Sequence, residues 1–212
     1  FAGDSHTWGQ GADGWETALK PSYVQAELRR LPEYIPSFVN LYSRYIQNLR
    51  KDKPATYVIN SGYGCASTKK YLKDFWYQAV EIYKPDIIVL EFAINDWLED
   101  RQVSLAEFEA NLNTMIDRSN EIAAIPILLS VSPILGTLYS GDHYYQDYID
   151  ITRKIGCTRK DVLFADANKI MNDFLDKGDS KKNEAELFYD DWHVAQKGQE
   201  LYLEAIVSAL GI

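Results

Sequence analysis

Short apolar runs alternate along the chain with longer stretches of helical periodicity. The apolar runs are rich in Val, Ile and Leu and are typical of buried parallel strands; they lie at residues 56–60, 86–92, 125–131 and 162–165. The stretches between them carry apolar residues three and four positions apart, which predicts helices near 36–51, 68–83, 104–123, 166–175 and 194–210. This alternation predicts an α/β fold built on a mostly parallel sheet.

The ends and loops of this pattern complete the predicted organisation. Phe1 and Ala2 are apolar and lead into Gly3, as the last residues of a further strand that is truncated or continues upstream. Ser104 and Glu107 have the spacing of a capping box at a helix start. Residues 136–146 are predicted to form a surface excursion near the carboxyl edge of the sheet. No repeat or flexible linker divides the chain, so we predict one domain over residues 1–212.

Composition and charge exclude several classes of protein. Hydrophobic residues make up 46% of the 212 residues and charged residues 25%, which is typical of a globular chain with a substantial core. No apolar stretch approaches the roughly 20 residues that span a bilayer. The formal net charge is −9 and Lys and Arg form no dense stripe. Since nucleic acids and anionic membranes are bound through basic clusters, we expect neither as a partner.

The cysteines are too few for a disulfide framework. Cys65 and Cys157 are far apart and form no CxxC pair, and only three histidines are present to join them in a zinc site. Two isolated thiols are typical of a reducing compartment. The compartment nevertheless stays open: a cytoplasmic location is favoured, and an upstream signal segment is the alternative.

Ser5 follows the first predicted strand in the run Gly3-Asp4-Ser5. A serine in such a run is more often a turn or cap residue than a nucleophile. The position of Ser5 favours a functional role, because ligands of open α/β sheets bind outside the carboxyl ends of the strands. At that edge the hydroxyl group and the backbone N–H of one serine can face the same ligand.

A second candidate block is Asp190-Asp191-Trp192-His193, just before the last predicted helix. A serine hydroxyl needs a base to remove its proton, and the base needs a third group that holds it in one tautomer. Asp190, three residues before His193, has the spacing to reach back to Nδ1, and Asp191 is the alternative. The plain interpretation is an aspartate that caps the last helix beside a surface histidine.

Two further blocks follow predicted strands. Asn95 comes after the run that ends at Phe92, where its side-chain amide can donate to an oxyanion above the sheet. Asn60-Ser61-Gly62 follows the second strand, and a glycine lets the backbone approach a ligand and present its N–H. Each block is also ordinary turn chemistry.

Taken together, these four blocks resemble the SGNH, or GDSL-type, hydrolase family of esterases and lipases, in the family's order over nearly the whole chain. The resemblance implies a flavodoxin-like, three-layer α/β/α domain with a five-stranded sheet, no metal or organic cofactor, and hydrolysis through an acyl-serine. It implies that Ser5 is the nucleophile, His193 the general base and Asp190 its orienting partner. The implied oxyanion hole consists of the N–H groups of Ser5 and Gly62 and the side chain of Asn95.

The chain departs from the family pattern at three positions. Ala93 and Cys65 stand where the family commonly has glycine, and Val194 stands where a proline often follows the histidine. None of these changes removes a side chain that the mechanism needs, so they bear on the subfamily rather than on the reaction.

The sequence says less about the substrate. Trp8, Trp97 and Trp192 lie within three residues of Ser5, Asn95 or His193 and are candidates to stack on a sugar or to wall a small acyl pocket. The loops are mostly polar, whereas a lipase would show a broad apolar groove. We predict hydrolysis of small acyl esters, acetyl above all, on a carbohydrate or another small molecule.

Three alternatives differ from this prediction in substrate or class. A lysophospholipase or thioesterase would take longer acyl chains. A non-catalytic carbohydrate-binding domain would need none of the three triad residues. A nucleotide-binding domain is disfavoured, because the GxGxxG spacing at residues 9–14 is not preceded by a strand and Ser5 occupies the turn. The natural alcohol and the oligomeric state stay open.

Overall fold

A computed structural model describes residues 1–18, 31–98, 103–136, 139–140 and 143–212. The strands are β1 (Ala2–Gly3), β2 (Ser61–Gly62), β3 (Ile87–Glu91), β4 (Ile125–Leu129), β5 (Tyr139–Ser140), β6 (His143–Tyr144) and β7 (Leu163–Ala165). Five of them form one sheet in the order β2-β1-β3-β4-β7, and every pairing in it is parallel. β5 and β6 form a separate antiparallel hairpin within the predicted surface excursion.

Helices precede or follow the strands throughout. They are α1 (Ser5–Trp8), α2 (Trp15–Ala18), α3 (Phe38–Leu49), α4 in three pieces (Thr68–Lys70, a π-helical turn at Tyr71–Phe75, and Trp76–Ala79), a 3₁₀ turn (Glu81–Tyr83), α5 (Ile94–Trp97), α6 (Leu105–Glu121), α7 (Tyr145–Thr158), α8 (Ala167–Leu175), α9 (Ser180–Leu187) and α10 (Gln196–Leu210). The five predicted helices correspond to α3, α4, α6, α8 and α10. Across the part of the chain that is described, no helix combines the length and apolarity needed to cross a membrane.

The sheet is buried on both faces, because successive side chains of a strand point to opposite sides. On one face Ile88, Leu90 and Leu128 pack in a core with residues of α4, α6 and α7. On the other face Val89 and Ile127 pack in a second core with residues of α3, α8 and α10. Helices on both faces of a five-stranded parallel sheet confirm the predicted three-layer α/β/α fold.

The predicted strand at residues 56–60 is wrong in position. The pairing falls instead on Ser61 and Gly62, which lie opposite Ala2 and Gly3. Tyr57, inside the predicted strand, is 88% exposed.

Serine side chains fix where three helices begin. Ser37 and Ser67 accept hydrogen bonds from Asn40 N and Lys70 N at the starts of α3 and α4. Ser104 accepts from Glu107 N at 3.2 Å, as the predicted capping spacing requires. Each cap satisfies an N–H group that has no acceptor inside its own helix.

Candidate active site

Ser5 lies at the carboxyl end of β1, where the chain turns from the strand directly into α1. The Asp4 side chain caps this helix by accepting from His6 N at 2.9 Å. The turn is so tight that a Cβ atom on Gly3 would lie 2.0 Å from Thr7 Oγ1, so only glycine fits there. The strand-to-helix turn therefore presents the Ser5 side chain at the edge of the sheet, with the residue 8% exposed.

Three side chains from opposite ends of the chain meet at this edge. Ser5 Oγ lies 2.9 Å from His193 Nε2. On the other side of the ring, His193 Nδ1 lies 2.9 Å and 3.0 Å from the two carboxylate oxygens of Asp190. A carboxylate can only accept, so Nδ1 carries the proton and Nε2 is left to accept from the Ser5 hydroxyl. This is the arrangement that activates a serine.

The loop that carries Asp190 and His193 is closed at its base. Phe188 and Val194 form an isolated antiparallel bridge, and Tyr189 N donates to His193 O at 2.9 Å. Within the loop, Asp190 Oδ1 accepts from His193 N at 2.7 Å and Trp192 N at 2.9 Å. Burial raises the pKa of Asp190, but these backbone hydrogen bonds and the His193 ring outweigh it and hold the pKa below its ordinary value. Asp190 is thus ionised while it holds the histidine.

Asp191 has a different environment from Asp190. Its carbonyl accepts from Leu135 N at 2.9 Å, and the residue is exposed. The His193 Nδ1 contacts are made by Asp190. Of the two aspartates that the sequence left open, the structure places Asp190 beside the imidazole.

Asn95 reaches the same edge from α5, directly after β3. It is 5% exposed, and its Nδ2 donates to Asp4 Oδ2 at 2.8 Å. Burial raises the pKa of Asp4 to about 7, although the hydrogen bonds from His6 N and Asn95 oppose this rise. A side-chain amide has two N–H hydrogens, and the bond to Asp4 uses one of them. Asp4 therefore fixes the direction of the Asn95 amide.

Gly62 differs from its prediction as an oxyanion donor. Its N–H donates to Asn60 Oδ1 at 2.9 Å, and Asn60 Nδ2 donates in turn to Thr7 O at 2.8 Å. A Cβ atom at Gly62 would lie 2.3 Å from Trp8 N. Gly62 is thus a packing glycine that lets α1 lie close on β2, and its N–H is directed at the Asn60 side chain. Past this strand, Cys65 has φ 60°, a left-handed conformation, where the family commonly has glycine.

Comparison with known proteins agrees with this geometry. The model of the GDSL-like Lipase/Acylhydrolase family matches residues 1–201. The chain belongs to this family. Comparison with curated proteins gives no match at a significant level.

Solved structures of GDSL-type esterases share the fold. The acetylxylan esterase from Geobacillus stearothermophilus aligns with a TM-score of 0.75 and 20% identity, over 100% of this chain and 93% of that one. The lipase/acylhydrolase from Enterococcus faecalis aligns with a TM-score of 0.71 and 24% identity, over 98% of this chain and 92% of that one. An α/β hydrolase from the metagenome of Lake Arreo, Spain, gives a TM-score of 0.73, 20% identity, and coverage of 99% and 93%.

The structure separates the three tryptophans that were predicted to bind substrate. Trp8 is 6% exposed and packs in a small core with Leu31 and Ile35, and Trp97 is 3% exposed in the larger core. Their burial leaves little of either ring for stacking on a sugar, and the other predicted role, as walls of a small acyl pocket, stays a prediction. Trp192 is 39% exposed, and its ring stands edge-to-face with Trp97, 6.5 Å between centroids.

Several buried polar groups behind the site were not singled out from the sequence. Glu91 accepts from Thr7 Oγ1 at 2.8 Å, and burial together with the Asp4 charge raises its pKa well above the ordinary value. Asp96 accepts from Thr68 N at 2.9 Å and from Thr68 Oγ1 at 2.5 Å. The signal for Glu91 was a carboxyl group inside an apolar run. Within the described ranges, no group of three or more His, Cys, Asp and Glu side chains is arranged to hold a metal ion.

Proposed function

We propose that the protein is a serine esterase with Ser5 as nucleophile, His193 as general base and Asp190 as its orienting partner. The observation that carries the proposal is the continuous hydrogen-bonded series from Ser5 Oγ to His193 Nε2 and from His193 Nδ1 to Asp190, with 2.9 Å at both junctions. Membership of the GDSL-like Lipase/Acylhydrolase family supports the same chemistry.

The proposed reaction proceeds through an acyl-enzyme. His193 Nε2 takes the proton of the Ser5 hydroxyl as Oγ attacks the ester carbonyl, and the C–O bond to the alcohol breaks as His193 returns the proton to the leaving oxygen. Water then attacks the acyl-serine with the same base, releasing the acid and free Ser5. The Asp190 carboxylate stabilises the imidazolium that forms in each half of the reaction.

The proposed oxyanion hole contains a backbone and a side-chain donor. Ser5 is the first residue of α1, and the first N–H groups of a helix have no acceptor within it. The second hydrogen of the Asn95 amide is the other donor, held in direction by the bond to Asp4. Gly62 is left out, since its N–H is occupied by Asn60.

The proposed substrate is a small acyl ester, with an acetylated carbohydrate as the preferred case. Trp192 supports this proposal, because an exposed indole beside His193 offers a flat face that suits a sugar ring. The acetylxylan esterase that shares the fold acts, by its name, on acetylated xylan.

A series of esters with and without a sugar tests the reaction and the substrate together. We expect hydrolysis of p-nitrophenyl acetate, collapse of kcat/KM beyond butyrate, and activity on acetylated xylo-oligosaccharides. Trp192→Ala should raise KM for the sugar ester several-fold and leave p-nitrophenyl acetate unchanged. Tyr77→Ala is the matched control, since Tyr77 is an aromatic residue 69% exposed on α4.

The outcomes separate the alternatives. Activity that rises with acyl length to octanoate or beyond would indicate a lysophospholipase or thioesterase. Absence of hydrolysis of every ester, with retained binding of the sugar, would indicate a carbohydrate-binding domain. Equal KM values for Trp192→Ala and the unmodified protein on the sugar ester would contradict the proposed platform.

A further inference from the structure

His6 directly follows the nucleophile and points into the protein. Its residue is 0% exposed, and its backbone N–H is held by Asp4 Oδ1. Its ring lies against that of His193, with 5.1 Å between centroids and 31° between planes. The catalytic imidazole thus has a second imidazole packed against it from the buried side.

The other contacts of His6 favour a neutral ring. Tyr202 OH accepts from Ser132 N at 2.8 Å and lies 3.5 Å from His6 Nδ1, where it donates or accepts according to the tautomer of His6. A cationic ring would carry a second N–H, at Nε2, that needs an acceptor of its own. Among the described residues, buried Nε2 has no hydrogen-bond partner.

Charged groups around His6 favour the same state. Burial lowers the pKa of His6 well below its ordinary value, the charge on His193 lowers it further, and Asp190 opposes them. The remaining titratable neighbours are Asp4, which accepts from the His6 N–H, and the Tyr202 hydroxyl on α10. No carboxylate is hydrogen-bonded to the His6 ring nitrogens within the described chain, so the charge of Asp190 acts on the ring only at longer range and does not outweigh burial.

We infer that His6 is a positioning residue whose neutral ring packs against His193 and holds it in the orientation that serves Ser5. The two hydrogen bonds of His193 run from opposite ring nitrogens, and together they define an axis about which the ring can still rock. The His6 ring, packed against one face of the His193 ring, removes this rocking motion. The inference rests on the proposed function, because it assigns a role through the proposed base.

Neutrality is part of this role. During acyl transfer His193 becomes an imidazolium, and a second positive charge at 5.1 Å would oppose its formation. A neutral ring in contact with it does not. The pair therefore divides the tasks, with one histidine exchanging protons and the other holding its place without titrating.

Two substitutions of His6 test whether a planar ring is needed against His193 or whether any side chain that fills the space is sufficient. His6→Phe keeps a planar ring and loses only the long bond to Tyr202, whereas His6→Leu fills the space without a face. We expect kcat for p-nitrophenyl acetate to fall about tenfold in His6→Leu with KM unchanged, and to stay within about threefold in His6→Phe. Met171→Ala, a cavity in the core on the same face of the sheet, is the control for lost stability alone. It should lower Tm and leave kcat unchanged.

The dependence of kcat/KM on pH shows whether His6 carries a charge, which a loss of stability alone would not reveal. The acid limb of kcat/KM falls as the base is protonated, and it should lie at the same pH in His6→Phe and in the unmodified enzyme. A limb that moves to higher pH in His6→Phe would show that His6 carries a positive charge, and would overturn the inference. Equal kcat values for His6→Leu and the unmodified enzyme would also overturn it, as would equal losses in His6→Leu and His6→Phe.

Nitrogen NMR of the unmodified protein makes the test independent of how the variants fold. The chain has three histidines, so the ¹⁵N spectrum of the imidazoles is simple to assign. We expect His6 to stay neutral, with a proton on one ring nitrogen only, from pH 5 to pH 8. Titration of His6 in that range would refute the inference even if Ser5→Ala proves the esterase assignment. Activity that survives in Ser5→Ala would instead refute the proposed function and leave this spectrum unaffected.

Discussion

Replacing Asp96 with asparagine should make the protein more stable at neutral pH. Asp96 is 1% exposed and accepts three hydrogen bonds from Thr68, two from the backbone N–H and one from the hydroxyl. Asn111 donates to the same hydroxyl at 3.0 Å. An asparagine keeps a carbonyl oxygen for the Thr68 bonds and is neutral at every pH. The substitution therefore removes the cost of protonating this carboxyl group on folding, while it keeps the acceptor.

The size of the effect follows from proton linkage. Burial raises the pKa of Asp96 from 3.8 to about 8, against the hydrogen bonds of Thr68 that lower it. Because the folded state holds the proton more tightly, its contribution is fully present below pH 3.8 and is lost as the pH rises toward 8. The part of this loss that falls between pH 4 and pH 7 is about 4 kcal/mol, at about 1.4 kcal/mol per pH unit. Relaxation of the surroundings makes such shifts smaller, so we expect a gain of about 2–4 kcal/mol for Asp96→Asn at pH 7.

Urea unfolding from pH 5 to pH 8 measures this gain. The free energies of unfolding of Asp96→Asn and the unmodified protein should diverge steadily as the pH rises, with the smallest difference at pH 5. Asp52→Asn, which removes an exposed carboxylate, should follow the unmodified protein at every pH. A difference between Asp96→Asn and the unmodified protein that stays constant over this range would refute the protonated Asp96.

Two further predictions concern the catalytic groups. Asp190→Asn should lower kcat by about 10⁴ with the fold intact, because an amide favours the wrong tautomer of His193; Asp191→Asn should keep near-normal kcat, and equal losses in the two variants would contradict the assigned orienting residue. Asn95→Ala should lower kcat by about 10²–10³ with little change in KM, as expected for a donor that acts in the transition state. A pure rise in KM for Asn95→Ala would place that side chain in ground-state binding instead.

Patterns within one segment predicted much of the fold. The five-residue strands β3 and β4 could be predicted because strands that are buried on both faces appear in the sequence as apolar runs. The second strand was misplaced because the apolar run lies at residues 56–60, whereas the pairing with β1, a partner about 60 residues away, falls on Ser61 and Gly62. α7 was missed because its start at Tyr145 lay inside the residues assigned to a surface excursion.

The candidate site could likewise be predicted only in part from the sequence. Ser5, His193 and Asp190 were singled out because a serine nucleophile needs those residue types at a strand end and at a spacing of three, and the structure brings the three side chains into hydrogen-bond contact. The role of Gly62 depends on the Asn60 side chain that takes its N–H, a contact that spacing does not reveal. For Trp8 and Trp97, proximity in sequence to a candidate site residue did not reveal that both rings are buried.

Covalent labelling of Ser5 tests the central claim most directly. A fluorophosphonate probe reacts with a serine whose hydroxyl is activated by a base, and mass spectrometry locates the adduct. We predict one adduct per chain, on Ser5, with parallel loss of p-nitrophenyl acetate hydrolysis, and neither labelling nor hydrolysis in Ser5→Ala. An adduct on another residue, or hydrolysis that persists in Ser5→Ala, would contradict the assignment of Ser5 as the nucleophile.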